Sequence, residues 1–399
     1  MAVSIKNKEY QLLDKFNAGD NLLYFPSKCI LGKGEAVSLS AEEQSGLSFS
    51  ERIHTLFRKA EVLGKDEPII IGGLPFNKGN RGMLIVPESV EQQVDMDSKQ
   101  AGYTASSLSI KNIQSIPFAA DYEKAVEKIV SSIQNGELEK AVLGRILQVA
   151  AKEELNIPQL IKQLIAENEN KFNFALNISD GTERKKTLIG ASPELLISKY
   201  GKTVVTNPLA GSRPRKADPL EDRQMENELR HSKKDLHEHQ FVVHSIEEAL
   251  RPFCKSLYVP KKPSVISTNT MWHLSTKIVG ELKDSSTQSI QLAECLHPTP
   301  AICGTPADTA YKKIEMLEPF ERDYFTGLIG WSNRNGDGEW AITIRCAEIE
   351  NNLISLFAGA GIVEDSVPQE ETAETAAKFR TMLSALGIKN IEEEGHKQC

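Results

Sequence analysis

Leu195-Leu-Ile-Ser-Lys-Tyr200, then Gly201-Lys202, then Thr203-Val-Val-Thr206 reads as two short strands joined by a tight two-residue turn. Such a hairpin pairs its strands antiparallel, whereas parallel neighbours need a crossover of a dozen residues or more. Upstream, Lys140-Ala-Val-Leu-Gly-Arg-Ile-Leu-Gln-Val149 reads as a strand, followed by a helix near 155–168 and a strand near 171–178. Before it, Tyr122, Val126, Ile129, Val130 and Ile133 share one face of a helix that Asp121 can cap and Gly136 can stop. Downstream, Met225, Leu229, Leu236, Val243, Ile246 and Leu250 keep helical spacing, which predicts one long helix over 217–251. Trp340-Ala-Ile-Thr-Ile-Arg345 and Leu353-Ile-Ser-Leu-Phe357 read as strands. A final helix has Ser366 and Gln369 at capping-box spacing and ends at Gly387. Helices and strands do not alternate regularly and hairpins recur. Antiparallel sheets flanked by helices are therefore expected, and a doubly wound parallel fold is not.

Residues 1–90 mix strand-like runs (Pro68-Ile-Ile-Ile71, Gly82-Met-Leu-Ile-Val86) with Gly/Pro turns, and the polar, Ser/Gln-rich stretch 91–115 reads as a surface connection. The expected division is 1–115, an N-terminal part of the fold; 116–390, the catalytic region; and 391–399, a polar tail. With 40% apolar and 26% charged residues over 399 positions, the chain has the make-up of a globular protein with ample core. A net charge of −8, with no Lys/Arg run longer than three, argues against a nucleic-acid surface. No stretch approaches the roughly 20 apolar residues of a membrane span, and the N-terminus lacks an apolar leader segment. The six cysteines are scattered with no Cys-x-x-Cys pair, which reads as reduced thiols in the cytoplasm.

Glu374 and Lys378 lie four apart on the last helix and so point the same way. They read either as a surface ion pair or, after the small residues Ala358-Gly-Ala-Gly361, as part of an anion site. His237-Glu238-His239 lies mid-helix without the His-Glu-x-x-His spacing of a zinc site, because neighbours diverge by about 100°. Three readings stand: a solvated helix, zinc, or Glu238 as a carboxylate ligand for a hard cation such as magnesium, with Glu374 as its partner. Lys140 alternates with Val142 and Ile146 on one strand face, where desolvation favours the neutral amine of a general base; a strand-end lysine reaching water is the alternative. Glu194, in Gly190-Ala-Ser-Pro-Glu-Leu-Leu-Ile197, opens an apolar strand, where burial favours the protonated acid; an edge carboxylate paired with an amine is the alternative.

In order along residues 116–390, Lys-Ala-Val-Leu-Gly-Arg, Gly-Ala-Ser-Pro-Glu-Leu-Leu, Pro-Leu-Ala-Gly-Ser, Lys-Asp-Leu-His-Glu-His, His-Pro-Thr-Pro-Ala, Gly-Leu-Ile-Gly-Trp, Ile-Arg, Ala-Gly-Ala-Gly-Ile-Val and Glu-Thr-Ala-Ala-Lys resemble the motifs of the chorismate-utilising family, which includes anthranilate, aminodeoxychorismate, salicylate and isochorismate synthases. The resemblance implies an α/β fold of two packed, largely antiparallel sheets with helices outside and the active site between them. It implies Mg2+ on Glu238 and Glu374, a substrate clamp of Arg345, Lys378 and the amides of Gly211 and Gly359, Lys140 as base and Glu194 as acid.

Within the family, Ala210 stands where aminodeoxychorismate synthases carry a lysine nucleophile. Lys140 is shared with the water-activating members, and Ala301 and Phe325 replace the Thr and Tyr of salicylate synthases. The resemblance thus implies water addition to chorismate that stops at isochorismate, with no amidotransferase subunit, and the segment Tyr24–Gly34 resembles members that feed dihydroxybenzoate for siderophores. A salicylate synthase, an ammonia-using anthranilate synthase-type subunit and a non-catalytic chorismate-binding protein are the alternatives. One departure is Thr372, where the family has an aromatic residue two positions before the helical metal glutamate.

Overall fold

The computed structural model describes residues 11–94, 108–179 and 185–388. The expected hairpin forms, with Leu195–Tyr200 antiparallel to Thr203–Asn207 and Gly201 in the left-handed region its turn requires. It sits inside a nine-stranded sheet ordered Cys254–Tyr258, Ile278–Leu282, Thr203–Asn207, Leu195–Tyr200, Gly338–Ile342, Leu328–Asn333, Ile69–Leu74, Met83–Val86, Val37–Ser38. A ten-stranded sheet runs Gly304–Thr305, Lys140–Ala151, Leu353–Ile362, Cys346–Glu350, Lys186–Ser192, Phe172–Asn177, Asn21–Tyr24, Lys28–Lys33, Ser89–Val94, with Ile110–Ile116 also paired to Lys140–Ala151. A small third sheet joins Leu209–Pro214, Met271–Ser275 and Ser264–Ser267. The long pairing of Lys140–Ala151 with Leu353–Ile362 and the central pairing of Leu328–Asn333 with Ile69–Leu74 are both antiparallel.

The two large sheets face each other across a shared apolar layer. Leu23, Phe25, Ile30, Phe174 and Leu188 of the larger sheet pack with Ile71, Ile329 and Trp331 of the smaller. Helices Ile157–Glu167 and Pro368–Ala385 cover the outer face of the larger sheet, where Ile161, Leu164, Phe379 and Met382 join its core. Helices Phe49–Val62, Lys233–Leu250 and Ser289–Leu296 cover the smaller one through Ile53, Val242, Ile246 and Leu292. Burying each sheet on both faces, one against the other sheet and one against helices, is what the apolar strands require. Among the described residues no helix is long and apolar enough to cross a membrane.

Several local expectations are corrected. The helix over 217–251 is two, Pro219–His231 and Lys233–Leu250, because Ser232 turns extended and its side chain caps the second through the amide of Asp235. Asp121 is not a cap: helix Ala119–Gln134 starts at Phe118, and Asp121 lies inside its first turn, bonded to Lys124. The capping box at Ser366 does not form. Helix Pro368–Ala385 starts from Val367, with the Ser366 hydroxyl taken by the amide of Val363. Within 91–115, strands Ser89–Val94 and Ile110–Ile116 both pair in the larger sheet, and 95–107 lie outside the described residues, as does the tail 391–399. The strand from Trp340 stops at Ile342, and Arg345 beyond it has φ 53°.

Candidate active site

Lys140 begins its strand with no exposed surface, and its Nζ lies 2.8 Å from Oε1 of Glu238 on helix Lys233–Leu250. The two meet over Gly361 on the neighbouring strand. A Cβ there would come within 2.7 Å of the Glu238 carboxylate and 3.0 Å of the Lys140 chain, so only glycine lets the pair close. The Glu238 helix face is thereby set beside the strand that carries Lys140.

Glu194 sits between strands Lys186–Ser192 and Leu195–Tyr200 and is 3% exposed. Burial pushes its carboxyl up to about 7, against the opposing pull of the Leu209 amide at 3.4 Å and the charges of Lys140 and Lys378. Titrating close to neutral pH, it keeps a large protonated fraction there and can serve as a donor. Across the cleft, Glu374 behaves in the opposite sense. It keeps 26% of its side chain open, and burial alone would raise it, yet Lys378 at 2.6 Å and the Ser212 hydroxyl at 2.9 Å hold it below the ordinary carboxylate range. Lys378 also donates to the Gly359 carbonyl at 2.6 Å. One turn before Glu374, the buried Glu371 is pushed up to about 7 by burial and by the Glu374 charge, although Lys234 lies 3.2 Å away.

Arg345 is buried, in a left-handed backbone conformation that is uncommon for a non-glycine residue. Burial pulls its guanidinium down to about 10. Its Nη2 lies 3.4 Å from Nε2 of His273, whose imidazole burial and the Arg345 charge keep neutral, while Nη1 has no hydrogen-bond partner among the described residues. A desolvated guanidinium with a free edge toward a cleft is a waiting anion site. Phe325 stacks on Phe357 at 5.3 Å between centroids and walls the same cleft beside Ala301.

One cleft is thus lined by Glu194, Gly211, Glu238, Ala301, Phe325, Arg345, Gly359, Glu374 and Lys378, with Lys140 reaching it through Glu238. The ten residues singled out from the sequence are brought together. His237 and His239 are not part of any metal cluster. His239 turns inward, bonded to the Thr276 hydroxyl at 2.7 Å and held near 4 by burial, whereas His237 lies against the Phe241 ring. No group of three or more His, Cys, Asp or Glu side chains forms a metal cage among the described residues. Thr372 spends its hydroxyl on the Pro368 carbonyl within its own helix.

Sequence reading missed Glu371, Lys234, Ser212 and His273. Glu371 had a signal, since Glu371 and Glu374 lie three apart and share a helix face. Ser212 lies inside a motif already singled out. Lys234 likewise opens the motif Lys-Asp-Leu-His-Glu-His, whereas His273 had no signal that pattern alone would raise.

A family model of chorismate binding enzymes matches residues 85–387. The isochorismate synthase DhbC of Bacillus subtilis (strain 168) is 44% identical over 399 residues, covering 98% of this chain and 99% of that protein. The vibriobactin-specific isochorismate synthase of Vibrio cholerae is 39% identical over 348 residues, covering 86% and 87%. The crystal structure of DhbC from Bacillus anthracis superposes with a TM-score of 0.88 at 44% identity, over 96% of this chain and all of that one. Anthranilate synthase component I from Streptococcus pneumoniae shares the fold at a TM-score of 0.69 and 22% identity, over 91% of each chain.

Proposed function

The chain belongs to the chorismate-binding enzymes, and from that premise we propose that it is an isochorismate synthase, adding water at C2 of chorismate and releasing the 4-hydroxyl. The observation that carries the reading is the buried acid Glu194 facing a cleft that holds the free edge of Arg345 and that Lys140 adjoins through Glu238. The Lys140 amine takes a proton from water as its oxygen bonds to C2. The ring double bonds shift, the C4–O bond breaks, and the Glu194 carboxyl gives its proton to the departing hydroxyl. A proton acceptor and a donor at one site let both transfers run near neutral pH. Arg345 and Lys378 hold the two substrate carboxylates, with the amides of Gly211 and Gly359 completing the clamp. Ala301 and Phe325 offer no hydroxyl to assist loss of pyruvate, which favours isochorismate as the end product.

The donor set fits a hard cation. Glu371 and Glu374 repel each other a turn apart, and Glu238 opens onto the same cleft as Glu374, so added positive charge there relieves carboxylates that face one another. Glu238 and Glu374 would hold magnesium, which keeps its own waters and needs few protein ligands. When bound, it supplies Lewis-acid polarisation of the ring carboxylate. The likeness to DhbC supports a product that feeds 2,3-dihydroxybenzoate and siderophore synthesis, and we propose that the protein works in the cytoplasm and without an amidotransferase subunit.

Incubation of the pure protein with chorismate, with and without magnesium and ammonium, and chromatography of the products tests this. Isochorismate formed only with magnesium is expected. Stoichiometric pyruvate and salicylate, or anthranilate with ammonium, or full activity after exhaustive chelation, would each overturn part of the reading.

A further inference from the structure

Strand Lys140–Ala151 is paired along one whole edge by Leu353–Ile362, but its other edge is covered only in pieces. Gly304–Thr305 pairs with Lys140 and Ala141, and Ile110–Ile116 pairs from Ile146 onward. Between them, at 142–145, no strand covers this edge among the described residues. The Val142 amide still meets the Cys303 carbonyl at 2.8 Å, and beyond it a buried ion pair takes over. The Glu318 carboxylate accepts from the Gly144 amide at 2.6 Å, and Nη2 of Arg322 donates to the Val142 carbonyl at 2.6 Å. The two side chains bond to each other through Arg322 Nε and Nη2, and each is about 3% exposed.

The same guanidinium reaches two further parts of the cleft. Its Nη1 donates to the Ile302 carbonyl at 2.9 Å and to the Thr326 hydroxyl at 3.2 Å. Thr326 lines the cleft at φ 60°, a conformation rare for a β-branched residue that needs outside support. Gly144 shows how tight the arrangement is, since a Cβ there would lie 3.0 Å from the Phe325 ring and 3.1 Å from the Glu318 carboxylate.

We propose that Arg322 and Glu318 are positioning residues for the reaction, standing in for a missing strand so that the base strand, Ile302 beside Ala301, and the Phe325–Thr326 turn keep one fixed geometry. The pair touches none of the cleft's reacting groups and acts through backbone groups and the Thr326 hydroxyl. The proposal rests on the reading of Lys140 as base. Lysine in place of Arg322 keeps the charge opposite Glu318 but has no planar fork to serve Val142, Ile302 and Thr326 together.

The test is Arg322→Lys in the full chain, with circular dichroism as the folding control, steady-state kinetics on chorismate, and hydrogen–deuterium exchange of residues 140–146. A shift of the base of the order of 1 Å predicts a kcat lower by roughly ten- to a hundredfold. KM should stay within about threefold, because Arg345, Lys378 and the Gly211 and Gly359 amides that clamp the carboxylates are not bonded to the pair, and the amides of 142–146 should exchange faster. A general loosening of the fold would instead raise KM alongside. Should Arg322→Lys not fold, Gly144→Ala is read in the same way: it keeps the ion pair and displaces Glu318 or Phe325 by a few tenths of an ångström. A folded variant with kcat above half the wild-type value, or with unchanged exchange at 142–146, overturns the proposal. Wild-type protein that leaves chorismate unchanged would sink the functional reading instead, and the exchange measurement would still decide the positioning role.

Discussion

Glu194 and Glu374 face one cleft from opposite sides, and their carboxyl groups are driven in opposite directions. Glu194 sits between strands, its carboxyl accepting from a backbone amide at 3.4 Å, and burial raises it to about 7. Glu374 sits on a helix, where a lysine four residues on lies within 2.6 Å and holds it ionised. Strands supply isolation, since neighbours along the chain point away. Helices supply company, since residues three and four apart share a face. The cleft draws its proton chemistry from the first wall and its cation chemistry from the second.

The sharpest way to break that contrast is to remove the strand-borne groups. Lys140→Ala and Glu194→Ala should each lower kcat by about 10²–10⁴, the usual span of a general base or acid. Because Glu194 works protonated and is raised to about 7, wild-type kcat should also fall as pH climbs through that value. Near-normal turnover in folded Lys140→Ala, or a flat profile across pH 6 to 8, would remove the strand wall from the chemistry.

On the helix wall, Glu374→Gln should act through the cation. Magnesium affinity measured by titration calorimetry should drop by tenfold or more, a loss of about 1.4 kcal/mol per decade. The same substitution at Glu194 should leave magnesium affinity alone. If both glutamines weaken magnesium equally, the division of labour is wrong.

The smallest effect on turnover is expected outside the cleft, at Glu348, whose carboxyl is also raised to about 7 by burial and by the Asp323 charge. A carboxyl raised by folding binds its proton more tightly in the native state, so it lowers stability as pH rises from its ordinary value of 4.5 to about 7. Glu348→Gln should remove that loss, worth no more than about 3 kcal/mol, and flatten the pH dependence of the thermal midpoint. Turnover should not change. An unaltered pH dependence would show that isolation on a strand does not by itself shift a carboxyl here.

The same contrast explains how much was legible in advance. Antiparallel sheets could be read from one hairpin and from the lack of βα alternation, because both are local patterns. The pairing of Glu374 with Lys378 was legible because helical spacing is arithmetic. Ser232, by contrast, sits in unbroken helical periodicity, and only its capping of Asp235 reveals the break. The contact of Lys140 with Glu238 joins residues 98 positions apart across a glycine that belongs to a third element. Motif order suggested that these residues share a site; nothing in either segment could say that they touch. Arg322 and Glu318 were passed over for a related reason, since an i,i+4 ion pair looks like ordinary helix-surface dressing until its burial is known.

The order in which strands pair also has a bearing on how the chain is made. Ile69–Leu74 waits for Leu328–Asn333, and Asn21–Tyr24 waits for Phe172–Asn177, so strands from the first quarter of the chain lie deep in both sheets. During synthesis at about 5–20 residues per second, the roughly 250 residues between the first two partners take on the order of 10–50 s to emerge. For that time each of these apolar strands has its hairpin neighbour, Met83–Val86 or Lys28–Lys33, but its other edge lacks the native partner on the ribosome. Contacts this distant in sequence also make folding slow once the chain is complete. Production of this protein should therefore depend more on chaperone capacity and translation speed than its final stability would suggest.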